Sequence, residues 1–356
     1  MFLKAVRSST KSKYSTYIMV IAFFSIAAIL VEAGVLGSLF KGLLIPMCYY
    51  IILAVSLNLT VGILGELSLG HAGFMCIGAY VGGVFSILTK DVITSSLIRF
   101  PLALIIGGLV AGIFGVLIGI PILRLNGDYL AIVTLAFGEI IKKLVQNFYF
   151  IKDVNGLHFS FANSIDPSTI DDVSKKVILS GPMSISGIPK DANIFIGVIL
   201  VLVTLFVIMN LVDSRAGRAF MSIRDNRIVA EGVGINITKY KLIVFAVSAF
   251  FAGVAGSLFA HFSTVDSTKF DYNLSIIILV FVVLGGIGNI RGSVIAAVAL
   301  YALPELLRAF QSYRMLIYAI ILIAAMILNN NEKFLRFKEQ FTFKRLFKTK
   351  HAKEDA

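Results

Sequence analysis

The run Gly65-Glu66-Leu67-Ser68-Leu69-Gly70-His71-Ala72-Gly73-Phe74 is the most unusual chemical string in this chain. It sets a serine and a histidine three residues apart in apolar sequence, among glycines that permit a bent or unwound helix start. Ser68 and His71 can there offer hydrogen bonds to a polar solute. A tight helix packing, with His71 bonded to a neighbouring carbonyl, uses the same residues, and chemistry alone favours it. Glu139 stands out because it lies within an apolar block, with Lys142 and Lys143 at i+3 and i+4. A structural ion pair is favoured there over a substrate contact.

The second informative stretch is 214–239, with six Lys or Arg once Lys239 and its neighbour Lys241 are counted. Arg218 to Arg227 can form a short amphipathic helix with Ala219, Ile223 and Asn226 or Arg227 on one face. Asp225 to Ala230 can begin another, which Gly232 and Gly234 would stop. Short helices edged with arginine suit docking into a groove of a cytoplasmic partner, and a surface-lying linker fits the composition equally well. Other chemistries are absent from the sequence. It has no Gly-x4-Gly-Lys-Ser/Thr phosphate loop and no His-Glu-x-x-His pair. Cys48 and Cys76 both sit in apolar blocks. No catalytic residue, metal site or cofactor is expected.

The elements that must hold these residues are membrane helices. Of 356 residues, 58% are hydrophobic and only 15% are charged, against roughly 25% in soluble domains. Mean hydropathy is +0.92. A soluble protein of this size lacks the polar groups to cover so much apolar surface, so soluble enzymes are excluded. The pattern predicts an all-α, polytopic membrane protein with ten spans, at 17–40, 42–61, 67–88, 100–120, 129–148, 193–213, 240–261, 273–289, 292–307 and 314–330. The first is read as a retained helix rather than a signal peptide. Glycines crowd the junction of the eighth and ninth spans, where broken helices are tolerated if buried in protein.

Twenty of the 32 Lys and Arg fall on the side that holds both termini and 214–239. By the positive-inside rule that side is cytoplasmic, and 149–192 is an external loop. The organisation expected is a cytoplasmic segment 1–16, a membrane-spanning domain 17–330 and a basic tail 331–356. That tail, with phenylalanines between its cations, suits either anionic lipid or a solvated coil. The charge of +12 reflects cytoplasmic loops rather than nucleic acid. Spans two to five and seven to ten run in opposite senses, which suits an inverted repeat.

Seven strings together resemble the LivM family of permease subunits from branched-chain amino-acid ABC transporters. They are Gly65 to Phe74, Leu125-Asn126-Gly127-Asp128-Tyr129-Leu130 continuing to Ile140, and Asp213-Ser214-Arg215-Ala216-Gly217-Arg218-Ala219. The others are Ile223-Arg224-Asp225-Asn226, Gly234-Ile235-Asn236, Tyr240-Lys241-Leu242 and Val283-Leu284-Gly285-Gly286-Ile287-Gly288-Asn289. The chain departs from the family's pattern at Ile151-Lys152-Asp153-Val154, before Asn155-Gly156, and in its long external loop.

The resemblance implies a second, LivH-like permease subunit, two cytoplasmic ATP-binding cassette subunits and an extracytoplasmic amino-acid-binding protein. It implies that Arg215, Gly217, Arg218, Arg224, Asp225, Asn226, Glu231 and Gly234 belong to an ATPase-coupling segment. It places the pathway at the interface with the partner permease, with Asn58, Ser68, His71 and Thr134 as polar candidates. A permease for urea, short amides or another small solute, and a non-transport membrane anchor, are the alternatives.

Overall fold

The computed structural model describes residues 2–34, 38–123, 125, 127–153, 156–161, 176–180, 185, 187–307 and 313–330. Helices stand at all ten expected positions: α1 (Phe2–Glu32), α2 (Ser38–Asn58), α3 (His71–Thr89), α4 (Ser96–Ile122), α5 (Asp128–Gln146), α6 (Ile194–Asp213), α9 (Ile237–Ala260), α10 (Tyr272–Gly285), α11 (Ile290–Leu306) and α12 (Arg314–Asn330). Two short helices, α7 (Arg215–Asp225) and α8 (Arg227–Gly232), occupy the loop between α6 and α9. Among the described residues, seven helices are long and apolar enough to cross a membrane. The other three are α5, which carries four charges, and α11 and α12, each 17 residues.

Several expected boundaries move. The first span does not run over 17–40: α1 begins at Phe2 and ends at Glu32, and Ser38 already opens α2. The second span does not stop at 61, because α2 continues as a π-helix over Leu59–Leu64 and ends at Gly65 in the left-handed region (φ +82°). The third span does not begin at 67, because residues 65–70 are non-helical and α3 starts at His71. The unwound helix start expected around the glycines is therefore present. At 149–192 a loop was expected, and the structure adds an antiparallel sheet of order β2-β1-β3, from β1 (Phe148–Asp153), β2 (Gly156–Phe161) and β3 (Lys176–Ser180). The expected turns Asp166-Pro167 and Gly181-Pro182, and the basic tail, lie outside the described residues.

The chain forms two compact units, Met1–Val298 and Ala299–Ala356. In the first, α2 is the central helix, with every residue from Ile51 to Leu64 buried. Such a helix must be apolar all round, which is why its sequence shows no stripe. Beside it α3, α4 and α9 pack backbone to backbone. Gly78 lies against the Gly253 backbone, and Ser257 Oγ donates to Gly78 O at 2.8 Å. Lipid tails offer no hydrophobic drive to bring helices together, so close approach at small residues and such hydrogen bonds supply it. Gly78→Ala would put a methyl group on the Gly253 backbone, which cannot move without parting α3 from α9. The expected loss is about 1–3 kcal/mol or more, read as a lower unfolding temperature of the purified chain in detergent.

Polar contacts collect at two opposite ends. One end holds Arg99 on Asp191 (2.6 Å), Ser86 with His261 (2.7 Å), Gln146 on Ser267 (3.2 Å) and the backbone bridge Ile185–Val265. The other holds Lys241 on Glu66, Arg224 on Gly62 O (3.1 Å) and Arg291 on Thr16 (2.6 Å). Charged side chains cluster at the edges of an apolar slab because its centre cannot solvate them.

Candidate coupling surface and translocation path

The segment between α6 and α9 is built by three side-chain caps. Ser214 accepts from Ala216 N (3.1 Å) and Gly217 N (3.3 Å), so α7 starts at Arg215, three residues earlier than expected. Asn226 accepts from Val229 N (3.1 Å) and opens α8, and Asn236 accepts from Lys239 N (3.0 Å) and opens α9. Gly217 is required because any Cβ there would strike the Val212 carbonyl where α7 folds back on α6. Gly234, at φ +84°, turns the chain after α8. The expected amphipathic face holds only as far as Ile223. Ala219, Phe220 and Ile223 are buried and Phe220 packs edge-on against Tyr240, but Asn226 and Arg227, expected to continue that face, are exposed because α7 ends at Asp225.

The opposite face is the candidate docking surface. Arg215, Arg218, Asp225, Asn226, Arg227 and Glu231 are exposed. Beside them stand three apolar side chains that sequence reasoning did not single out: Ile228 (82% exposed), Val229 (60%) and Val233 (72%). They lie on the connecting segment, and a rimmed apolar patch of this kind suits contact with a partner protein or with the membrane surface. Arg224 behaves differently from its neighbours. Its Nη2 and Nε donate to Asp225 (2.9 and 3.1 Å), while Nη1 reaches inward to Gly62 O.

The four polar pathway candidates are all buried. His71 Nε2 meets Ser56 Oγ at 2.9 Å, a hydroxyl where a carbonyl was expected. Thr134 Oγ1 accepts from Leu69 N and donates to Ala131 O, both at 3.0 Å. Ser68 Oγ is buried without a partner among the described residues. These three gather at the start of α3. Asn58 faces elsewhere: its Nδ2 donates to Ser293 Oγ and its Oδ1 accepts from Gly288 N, each at 2.9 Å. It ties the end of α2 to the turn between α10 and α11.

The start of α10 joins the same neighbourhood. With 14 residues α10 covers about 21 Å, short of a roughly 30 Å hydrocarbon layer. The apolar run it belongs to, Ser267–Gly285, is long enough to cross only with the short 3-10 turn and the residues that precede α10. Ser275 accepts from Ala72 N (3.0 Å), and Glu139 Oε1 accepts from Tyr272 N (3.1 Å). The Lys142 partner expected for Glu139 is present at 3.5 Å. Two interrupted helices thus begin side by side within the bundle, the arrangement transporters use to expose backbone and polar groups at mid-depth. Tyr272 and Asn273 at this level are exposed. The spacing of Glu139 and Lys142 showed the pair, but nothing local in the sequence showed that α10 would start beside it.

Comparison with known proteins agrees with this architecture. The family described as "Branched-chain amino acid transport system / permease component" matches residues 39–326. The chain is 37% identical over 298 residues to the high-affinity branched-chain amino acid transport system permease protein LivM of Salmonella typhimurium, covering 78% of this chain and 66% of that protein. It is 36% identical over 289 residues to LivM of Escherichia coli, with the same coverage. It is 27% identical over 288 residues to the fructose import permease protein FruG of Bifidobacterium longum, covering 79% and 77%. The chain thus spans 66% of the length of the two LivM relatives. No solved structure matches. The family match over residues 39–326, on a bundle of apolar helices with a capped, arginine-edged loop, places this chain in the branched-chain amino acid transport system permease family.

Proposed function

We propose that the chain is a membrane-spanning permease subunit of an ABC importer that admits leucine, isoleucine and valine. ATP is hydrolysed on two cytoplasmic ATP-binding cassette subunits, so the chain itself is not an enzyme and needs no cofactor. A LivH-like permease pairs with it, and an extracytoplasmic binding protein delivers the amino acid. The observation that carries this reading is the 214–236 segment, which presents Ile228, Val229 and Val233 among arginines on one basic end of the bundle. Under the positive-inside rule that end is cytoplasmic, and the sheet of β1 to β3 is external. The pathway runs along the face where α5 and α10 expose polar residues at membrane depth, since such groups face a partner or water rather than lipid.

A zwitterion with an aliphatic side chain needs polar contacts at its ends and apolar walls between them, held weakly enough for release. His71→Ala and Thr134→Val, which loosen the start of α3, are expected to lower leucine uptake severalfold in the co-expressed complex. Uptake at wild-type level in both variants would remove the start of α3 from the pathway. The relationship to a fructose import permease is consistent with a second reading, a permease for another small solute, without favouring it. Competition of labelled leucine uptake by valine and isoleucine, but not by fructose or urea, is the expected result.

The docking surface has its own test. Replacing Ile228 and Val233 by serine is expected to release the ATP-binding subunits during co-purification, while the permease stays folded because both side chains are exposed. Full retention of those subunits would move the docking site elsewhere.

A further inference from the structure

Two cations, one within the 214–236 segment and one just beyond it in α9, hold the same short stretch of chain. At the end of α7, Arg224 Nη1 donates to the Gly62 carbonyl at 3.1 Å, and the Arg224 stem lies over Gly65, where any Cβ would fall 2.5 Å from its Cγ. In the first turn of α9, Lys241 pairs with Glu66, and the lysine is 1% exposed. The stretch between these two cations, residues 62–66, is where the helix that continues α2 ends. It has π-helical geometry, which often marks functional bends, and ends on Gly65 at φ +82°. The chain then runs on without helical hydrogen bonding to His71. The last carbonyls of any helix lack intrahelical donors, and here Arg224 supplies one.

A second helix end lies against the first. The turn after α10 contains Gly286 (φ +95°) and Gly288 (φ +80°), and a Cβ on Gly62 would overlap the Gly288 backbone. Asn58 fastens the two by accepting from Gly288 N. A displacement of α7 relative to α9 therefore acts on a hinge rather than on a rigid helix.

We infer that Arg224 and Lys241 are positioning residues that strap the coupling segment to a hinge at residues 62–66, so that motion of the segment bends the end of α2. This rests on the coupling role proposed above. Neither cation needs to touch the transported solute. Their work is to transmit force through one carbonyl and one carboxylate.

The test uses the co-expressed transporter with Leu67→Cys as a probe, since Leu67 is half-buried beside the hinge and the native Cys48 and Cys76 are fully buried. Labelling by a charged maleimide is timed with and without a non-hydrolysable ATP analogue. In the otherwise native chain the nucleotide is expected to change the rate about tenfold, a usual size for coupling between sites. Arg224→Gln, and separately the paired Lys241→Met with Glu66→Leu, are expected to reduce that response to less than about twofold, while Arg224→Lys keeps part of it. A full response in both strapless variants overturns the strap and leaves the coupling role standing. No response in the native background overturns the coupling role and the strap together.

Discussion

Arg224→Glu is expected to abolish uptake while the membrane bundle still assembles. The guanidinium is partly exposed, so the substitution does not bury a charge in the core. It does remove the donor to the Gly62 carbonyl and sets a carboxylate against that oxygen and beside Asp225. Both consequences oppose the native position of α7. Truncating one partner of a buried charged contact typically loses about 2–5 kcal/mol, and a rim contact far less. Arg224 is exposed, so the contact loss is the smaller, rim-type one, and the repulsion between the new carboxylate, the Gly62 oxygen and Asp225 adds to it. Co-purification separates the two routes to failure: retained ATP-binding subunits mean uncoupling through the hinge, and lost subunits mean a damaged docking face. Uptake and subunit association both at wild-type level would make the segment an ordinary linker.

The second large effect is on stability, at Lys241 and Glu66. Glu66→Leu leaves the Lys241 ammonium in place at 1% exposure without its carboxylate. Breaking a buried pair in this way costs about 3–5 kcal/mol, because one charge remains uncompensated. The double change Glu66→Leu with Lys241→Met removes both charges and fills similar volume, and apolar replacement of whole buried pairs is often neutral. Thermal unfolding in detergent should therefore show a large drop for the single variant and recovery for the double. Equal unfolding temperatures for the native chain and the single variant would show that the pair is solvated in the membrane-embedded protein.

Much of the architecture was legible in the sequence because membrane insertion is decided locally. A run of about 20 apolar residues must become a helix, since unpaired backbone groups are untenable in hydrocarbon. Helices accordingly stand where the apolar blocks predicted them, and the caps Ser214, Asn226 and Asn236 were there to be read. The end of α2 was less legible. Leu59–Leu64 is as apolar as the turns before it, and only Gly65 at its foot hints at the π-helix. The sheet of β1 to β3 was missed because its strands are short and their pairing is set by register across the loop.

The amino-acid sequence by itself determined the class of protein, the helix positions, the capped amphipathic turns of the coupling segment and the Glu139–Lys142 pair, all of which depend on residues a few positions apart. Only the tertiary structure decided what the polar side chains do. It spent Asn58 on Gly288 and Ser293, set His71 on Ser56, and turned Arg224 inward to Gly62 O. It also brought the starts of α3 and α10 together through Ala72 and Ser275, 203 residues apart. Such contacts follow from how closely glycine-faced helices approach and at what depth a broken helix resumes. Those distances belong to the packed bundle, and no local pattern of residue types encodes them.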